Sequence, residues 1–150
     1  LGKKCEAFIA VDEFSIREYL VEMLQKRRQV MPVNAFHRQA IVSENAMVGH
    51  GNLFDAGVLI NTGTTVGNHC TFHSSSVIEY DVTIGDFVQI GAGSIIGANV
   101  KIGNGVFIGA GVTVVAGVNI GEDARIGVGS VVVENVPAKA TVFGNPAKKI

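Results

Sequence analysis

The sequence predicts an all-β solenoid, a parallel β-helix, on three observations. From Val42 an apolar residue returns every six positions, through Val48, Phe54, Ile60, Val66 and Phe72 and on without an insertion to Ile126 and Val132. Four residues after nearly every one of these stands a small or β-branched residue, as at Val58, Thr64, Cys70, Ser76 and Val82. Glycine often follows the apolar position directly, as at Gly85, Gly91, Gly97, Gly103 and Gly109. A helix cannot keep a period of six on one face, and a flat strand has a period of two. Repeats this short stack into a solenoid. Three hexads close one triangular coil, so each residue lies on the one eighteen later and the coils pair as parallel strands ~4.8 Å apart. Glycine serves the sharp turns between faces. Positions one and five of each hexad point inward.

Ahead of the repeat the chain has a different texture. Residues 7–11, "AFIAV", are a short apolar run suited to a buried strand. In "FSIREYLVEMLQKRR" the residues Ile16, Tyr19, Leu20, Met23 and Leu24 recur on one helical face. Ser15 with Glu18 fits a capping box, and Phe14 with Tyr19 a hydrophobic staple. Lys26, Arg27 and Arg28 fall at the helix C-terminus, where the dipole favours positive charge. One strand and one helix cannot make a core. Residues 1–36 are therefore expected to be the last β-α piece of an α/β unit whose earlier strands are absent, and residues 37–150 the β-helix domain with its C-terminal tail.

The bulk properties narrow the classes of function. With 150 residues the chain suits one domain, and a net charge of -1 gives no electrostatic case for nucleic acid or a membrane surface. Only 17% of residues are charged and mean hydropathy is +0.36, more apolar surface than a lone small domain needs, as expected of an oligomer. Cys5 and Cys70 are too few for a disulfide framework, which points to a reducing cytoplasm. No apolar run reaches the ~18 residues of a membrane span.

The segment "HSSSVIEYDVTIGD", residues 73–86, breaks the regularity by crowding His73, Glu79, Tyr80 and Asp81 into outward or corner positions. The hexapeptide pattern resembles the left-handed β-helix acyltransferases, and "VFGNPAKKI" resembles their G-x-P-A-K ending. "AFHRQAIVSENAMVGHG" and "SSVIEYDVTIGD" resemble the sialic acid O-acetyltransferase and bacillosamine-type nucleotide-sugar N-acetyltransferase family. The resemblance spans about residues 7–150. It implies a left-handed β-helix, a homotrimer, acetyl-CoA as co-substrate between adjacent β-helices, and a sugar or nucleotide-sugar acceptor, with no metal. It also implies a catalytic histidine in S-S-V-I-E-H-[ED], where this chain has Tyr80 flanked by Glu79 and Asp81. A second family histidine, beside the thioester, aligns with Gln89, and a family asparagine aligns with His73. For the cofactor the resemblance points to Gln89, Gly109, Ala110, Gly127 and Val128.

Acetyl transfer needs a neutral nucleophile and a group to receive its proton. Histidine suits that role, while a phenol is a poor base at neutral pH. An amine, already partly neutral, is less demanding than an alcohol, so Tyr80 argues for N- over O-acetylation. Three readings stay open: His73 as a relocated base, Asp81 or water sufficing for an amine, or a catalytically impaired trimer that binds without turnover. A carbonic-anhydrase-like metal site from His50, His69 and His73 is disfavoured, because the hexad register puts His69 and His73 on different faces.

Overall fold

The computed structural model describes residues 5–150. Three sheets, parallel except for the last strand of the first, wrap one core: sheet A of eight strands, sheet B of six and sheet C of five. The ladders join residues eighteen apart, as in Gln89 with Phe107, Ile95 with Thr113 and Lys101 with Asn119. Every coil begins on sheet A, at Ala35, Leu53, Thr71, Gln89, Phe107 and Arg125, then crosses sheets B and C. The chain is thus a parallel β-helix with period-six strands of two residues each, as the sequence predicts. It starts one hexad earlier than the apolar count suggests, because Phe36 and Ala40 already hold positions one and five.

Position-one and position-five side chains fill the core. Phe54, Val58, Ile60, Cys70, Phe72, Ile90 and Ile108 are fully buried. The strict register lays Phe36, Phe54 and Phe72 over one another, with ring centroids 4.7 and 4.9 Å apart and planes nearly parallel. Inward polar groups tie coils together: Thr64 donates its hydroxyl to Glu79 O at 2.9 Å, and Ser94 to Gly109 O at 2.9 Å. Burial pushes the Cys70 thiol up to about 12, so it packs as an apolar residue.

The register changes after Val132. Val142 pairs with Ile126, sixteen residues away, and Thr141–Phe143 is followed by an antiparallel partner, Lys148–Lys149. Residues of this tail also take up Val131 N–H, through Gly144 O, and Val131 O, through Ala147 N–H. The last coil is therefore capped where a seventh would otherwise add.

Residues 14–28 form helix α1 (Phe14–Arg28), as expected, with two differences. The N-cap is Glu13, not Ser15: its carboxylate accepts from Ile16 N–H at 2.8 Å and from the Ser15 hydroxyl. These bonds hold the Glu13 carboxyl below its ordinary value. The inward face is also rotated. Arg17, Val21 and Leu24 are buried, whereas Ile16 and Tyr19 are 50% and 63% exposed. The strand expected at 7–11 does not form. A strand needs a neighbour to pair with, and this stretch is held instead by Ala7 O, which accepts from Val33 N–H, and by the Arg17 guanidinium.

Candidate functional site: one corner of the prism

The turn from sheet A to sheet B, the A/B corner, stacks His37, Asp55, His73, Gly91, Gly109 and Gly127 in one column eighteen residues apart. Titratable groups occupy the lower half and glycines the upper half. The glycines have a packing reason: a Cβ on Gly109 would lie 2.8 Å from Val128 N, and one on Gly91 2.5 Å from the Gly109 carbonyl carbon. One and two residues further on, Ala110 and Gly111, then Val128 and Gly129, are exposed. Gly111 and Gly129 adopt φ of +65° and +68° with open space where a side chain would stand. The upper corner is a strip of bare backbone that an extended ligand can approach closely.

The lower half is polar and fixed. The Asp55 carboxylate accepts from the Ser74 hydroxyl at 2.6 Å and the Ala56 N–H at 2.7 Å, which hold its carboxyl below the usual range. His73 Nε2 lies 3.3 Å from Asp12 Oδ1 and 3.2 Å from Gln89 Nε2. Gln89 in turn donates to Asp12 Oδ1 at 3.1 Å. Asp12 comes from the chain just before α1, where Arg17 Nη1 donates to Asp12 O at 3.2 Å. A mostly apolar cleft of about 400 Å³, lined by Phe8, Ile9, Val11, Leu53 and Thr71, opens beside His73.

The structure brings His73 and Gln89 together and sets Glu79, Tyr80 and Asp81 apart. Those three stand at the next corner, between sheets B and C, beyond the strand Val77–Ile78. Tyr80 is 50% exposed. Glu79 accepts from the Asn61 side chain at 3.3 Å. Asp81 has a conformational reason to be there: its φ is +56°, in a column it shares with Gly63, Asn99 and Gly117, all left-handed. Short polar residues tolerate that turn. His50 and His69 occupy the third corner, under α1, with ring centroids 5.2 Å apart. Among the described residues no group of three histidine, cysteine or acidic side chains could hold a metal ion.

Asp12 and Asp55 were missed by sequence reasoning. Asp55 was legible, since the eighteen-residue spacing His37–Asp55–His73 needs only the period. Asp12 carried no signal, because nothing in the repeat says where the segment before α1 lies.

Comparison with known proteins decides the family. The bacterial transferase hexapeptide family (six repeats) matches residues 81–116. No curated protein matches the chain. A histidine-to-alanine mutant of GDP-perosamine N-acetyltransferase from Caulobacter crescentus, in complex with CoA and GDP-perosamine, is 31% identical. The alignment covers 95% of this chain and 68% of that one, with a TM-score of 0.92. The chain belongs to the hexapeptide-repeat nucleotide-sugar N-acetyltransferase family. The acetyltransferase domain of PglB from Neisseria gonorrhoeae, solved with acetyl coenzyme A, is 26% identical over 97% of this chain and 70% of that one, with a TM-score of 0.92. WeeI from Acinetobacter baumannii shares the fold at 24% identity, covering all of this chain and 73% of that one, with a TM-score of 0.84. Like other members of this family of β-helices the solenoid is left-handed. No described helix is long and apolar enough to cross a membrane.

Proposed function

We propose that the chain is an acetyl-CoA-dependent N-acetyltransferase acting on the amine of a nucleotide-linked sugar in the cytoplasm. The observation that carries this reading is the A/B corner above His73, where Gly93, Gly111 and Gly129 stack as a strip of exposed backbone with open space beside each. The pantetheine arm fits along that strip, with Ala110 and Val128 at its edge and the thioester end toward His73 and Gln89. The complexes of relatives with CoA, acetyl-CoA and GDP-perosamine support it. The absence of a histidine at Tyr80 favours an amine acceptor over an alcohol, because a neutral amine needs only to lose its proton after attack.

The working assembly is a homotrimer. The outward residues of sheet B are Ile41, Leu59, Val77, Ile95, Thr113 and Val131, almost all apolar, whereas those of sheet C are Met47, Thr65, Thr83, Lys101 and Asn119, mostly polar. Sheet B is thus the face to bury, and it lies between the His73 corner and the Tyr80 corner. Packing sheet B against a second copy would bring the two corners, separate in one chain, to a shared groove.

Calorimetric titration with acetyl-CoA tests the reading. The parent should bind, and Ala110→Phe should lose at least tenfold in affinity while keeping its far-ultraviolet spectrum. Equal affinity in that variant places the cofactor elsewhere. Binding without CoA release over a panel of amino sugars leaves a binding module in place of an enzyme.

A further inference from the structure

Resting on the acetyl-transfer reading, we propose that Asp12 is a positioning residue that makes His73, and not the residue at position 80, the proton acceptor of the reaction. The geometry is a three-membered contact at Nε2. Gln89 has two amide N–H groups and faces two acceptors, Asp12 Oδ1 at 3.1 Å and His73 Nε2 at 3.2 Å. With the imidazole neutral and its proton on Nδ1, the Nε2 lone pair accepts from a Gln89 N–H, which turns aside to Asp12 Oδ1 when that nitrogen takes a proton. When Nε2 gains a proton, Asp12 Oδ1 already stands 3.3 Å away to pair with it. A carboxylate at that distance stabilises an imidazolium.

The supports of this arrangement come from two elements. Arg17, 2% exposed, donates through Nη1 to Asp12 O and Val11 O and so fixes the segment that carries Asp12. Asp55, one coil below His73, is held by Ser74 and Ala56 and adds a second carboxylate near the ring; His37 lies one coil further down. The groups charged or chargeable around His73 are therefore Asp12, Asp55 and His37. Tyr80 stands at another corner of the same chain and is half exposed.

The step balances without a further reactant. The acceptor amine nitrogen attacks the carbonyl carbon of acetyl-CoA, the C–N bond forms and the C–S bond breaks. The electron pair of the broken bond leaves on sulfur. The proton lost by nitrogen goes to His73 Nε2, whose imidazolium pairs with Asp12, and then passes to the thiolate to give free CoA.

The test measures acetyl-CoA binding by calorimetry and CoA release with an amino-sugar acceptor, across pH, in the parent, His73→Gln, Asp12→Asn, Asp12→Glu and the His73→Gln/Asp12→Asn pair. His73→Gln should lower kcat by roughly 10²- to 10⁴-fold. Asp12→Asn should lower kcat by about tenfold or more with KM for acetyl-CoA unchanged, and should move the acid limb of the kcat/KM profile to lower pH. Asp12→Glu should restore part of both. The pair should be no slower than His73→Gln alone, because the two act through one proton. Turnover in Asp12→Asn with the parental kcat and pH limb overturns the role of Asp12 and leaves acetyl transfer standing. A Tyr80→Phe variant that falls as far as His73→Gln also overturns it. No acetyl-CoA binding, or no CoA release by the parent, overturns the acetyl-transfer reading and this one with it.

Discussion

His69 shows how much one corner residue can cost. It is 4% exposed, its ring lies 4.9 Å from that of Phe87, and burial, aided by the neighbouring His50, lowers it to about 4. Arg17 acts in the same direction and Asp86 against it. An unfolded chain takes up a proton at this imidazole near the ordinary 6.5, the folded chain only near 4. Stability is therefore lost as pH falls through that window, by on the order of 3 kcal/mol at most. His69→Phe, which keeps a flat ring, should remove this loss. Urea melts between pH 6.5 and 4 check it: a variant whose stability falls as steeply as the parent's would show that His69 is not the group responsible. At this scale the sequence was partly legible. The outward placing of His73, Tyr80 and Asp81 followed from the hexad register, but Asp81 answers to a left-handed turn, which composition alone does not reveal.

At the scale of elements, the strands were readable and the helix less so. Every strand up to Val131–Val132 repeats one rule eighteen residues on, so one correct period places them all. α1 has no such redundancy. An apolar stripe through Ile16 and Tyr19 suggested one face, and the β-helix surface selected another, centred on Arg17, Val21 and Leu24. A buried arginine is a poor candidate for a core face by composition, since charges are rarely buried without partners. Among the described residues Arg17 Nε and Nη2 have none, and burial lowers its guanidinium. Removing such a group while keeping volume costs little or stabilises. Arg17→Met should leave global stability within about 1 kcal/mol of the parent or above it. The same change frees Val11 O and Asp12 O, so limited proteolysis should cut ahead of α1 at least several-fold faster. A large drop in the melting midpoint, with no change in cutting, would mean that Arg17 supports the core and not the segment.

For the whole molecule, the low charge and high hydropathy pointed to burial between chains without saying where. In the structure the outer face of sheet B is apolar along its length, and Ile41 is 65% and Ile95 46% exposed in a single chain. Its position was latent in the sequence as an apolar residue preceding position one on every third hexad except at Thr113, a pattern of period eighteen superposed on period six. Sedimentation of the parent should give a particle of three times 15.7 kDa. Ile95→Asp places a charge on that face with no partner, and should yield monomers whose circular dichroism matches the parent's. A trimer that survives this change would move the interface to another face and separate the two corners that the proposed groove needs. The limits of the N-terminal part were the least legible feature at this scale, because packing of residues 5–34 on the solenoid follows no period.

The stacking of His37, Asp55, His73, Gly91, Gly109 and Gly127 also makes the solenoid a ruler graduated in steps of eighteen residues. Adding or removing one full step between His73 and Gly109 would return every inward side chain to an inward site, so the core would notice almost nothing. The same edit would slide the imidazole along the bare strip by one graduation, ~4.8 Å, well beyond the reach of a hydrogen bond. An edit of six or twelve residues would carry the upper glycines to a different edge altogether. Folding in this architecture therefore accepts whole coils as interchangeable currency, while chemistry recognises a single length. A lineage of such chains can lose its reaction without any damage to its fold, simply by counting wrongly.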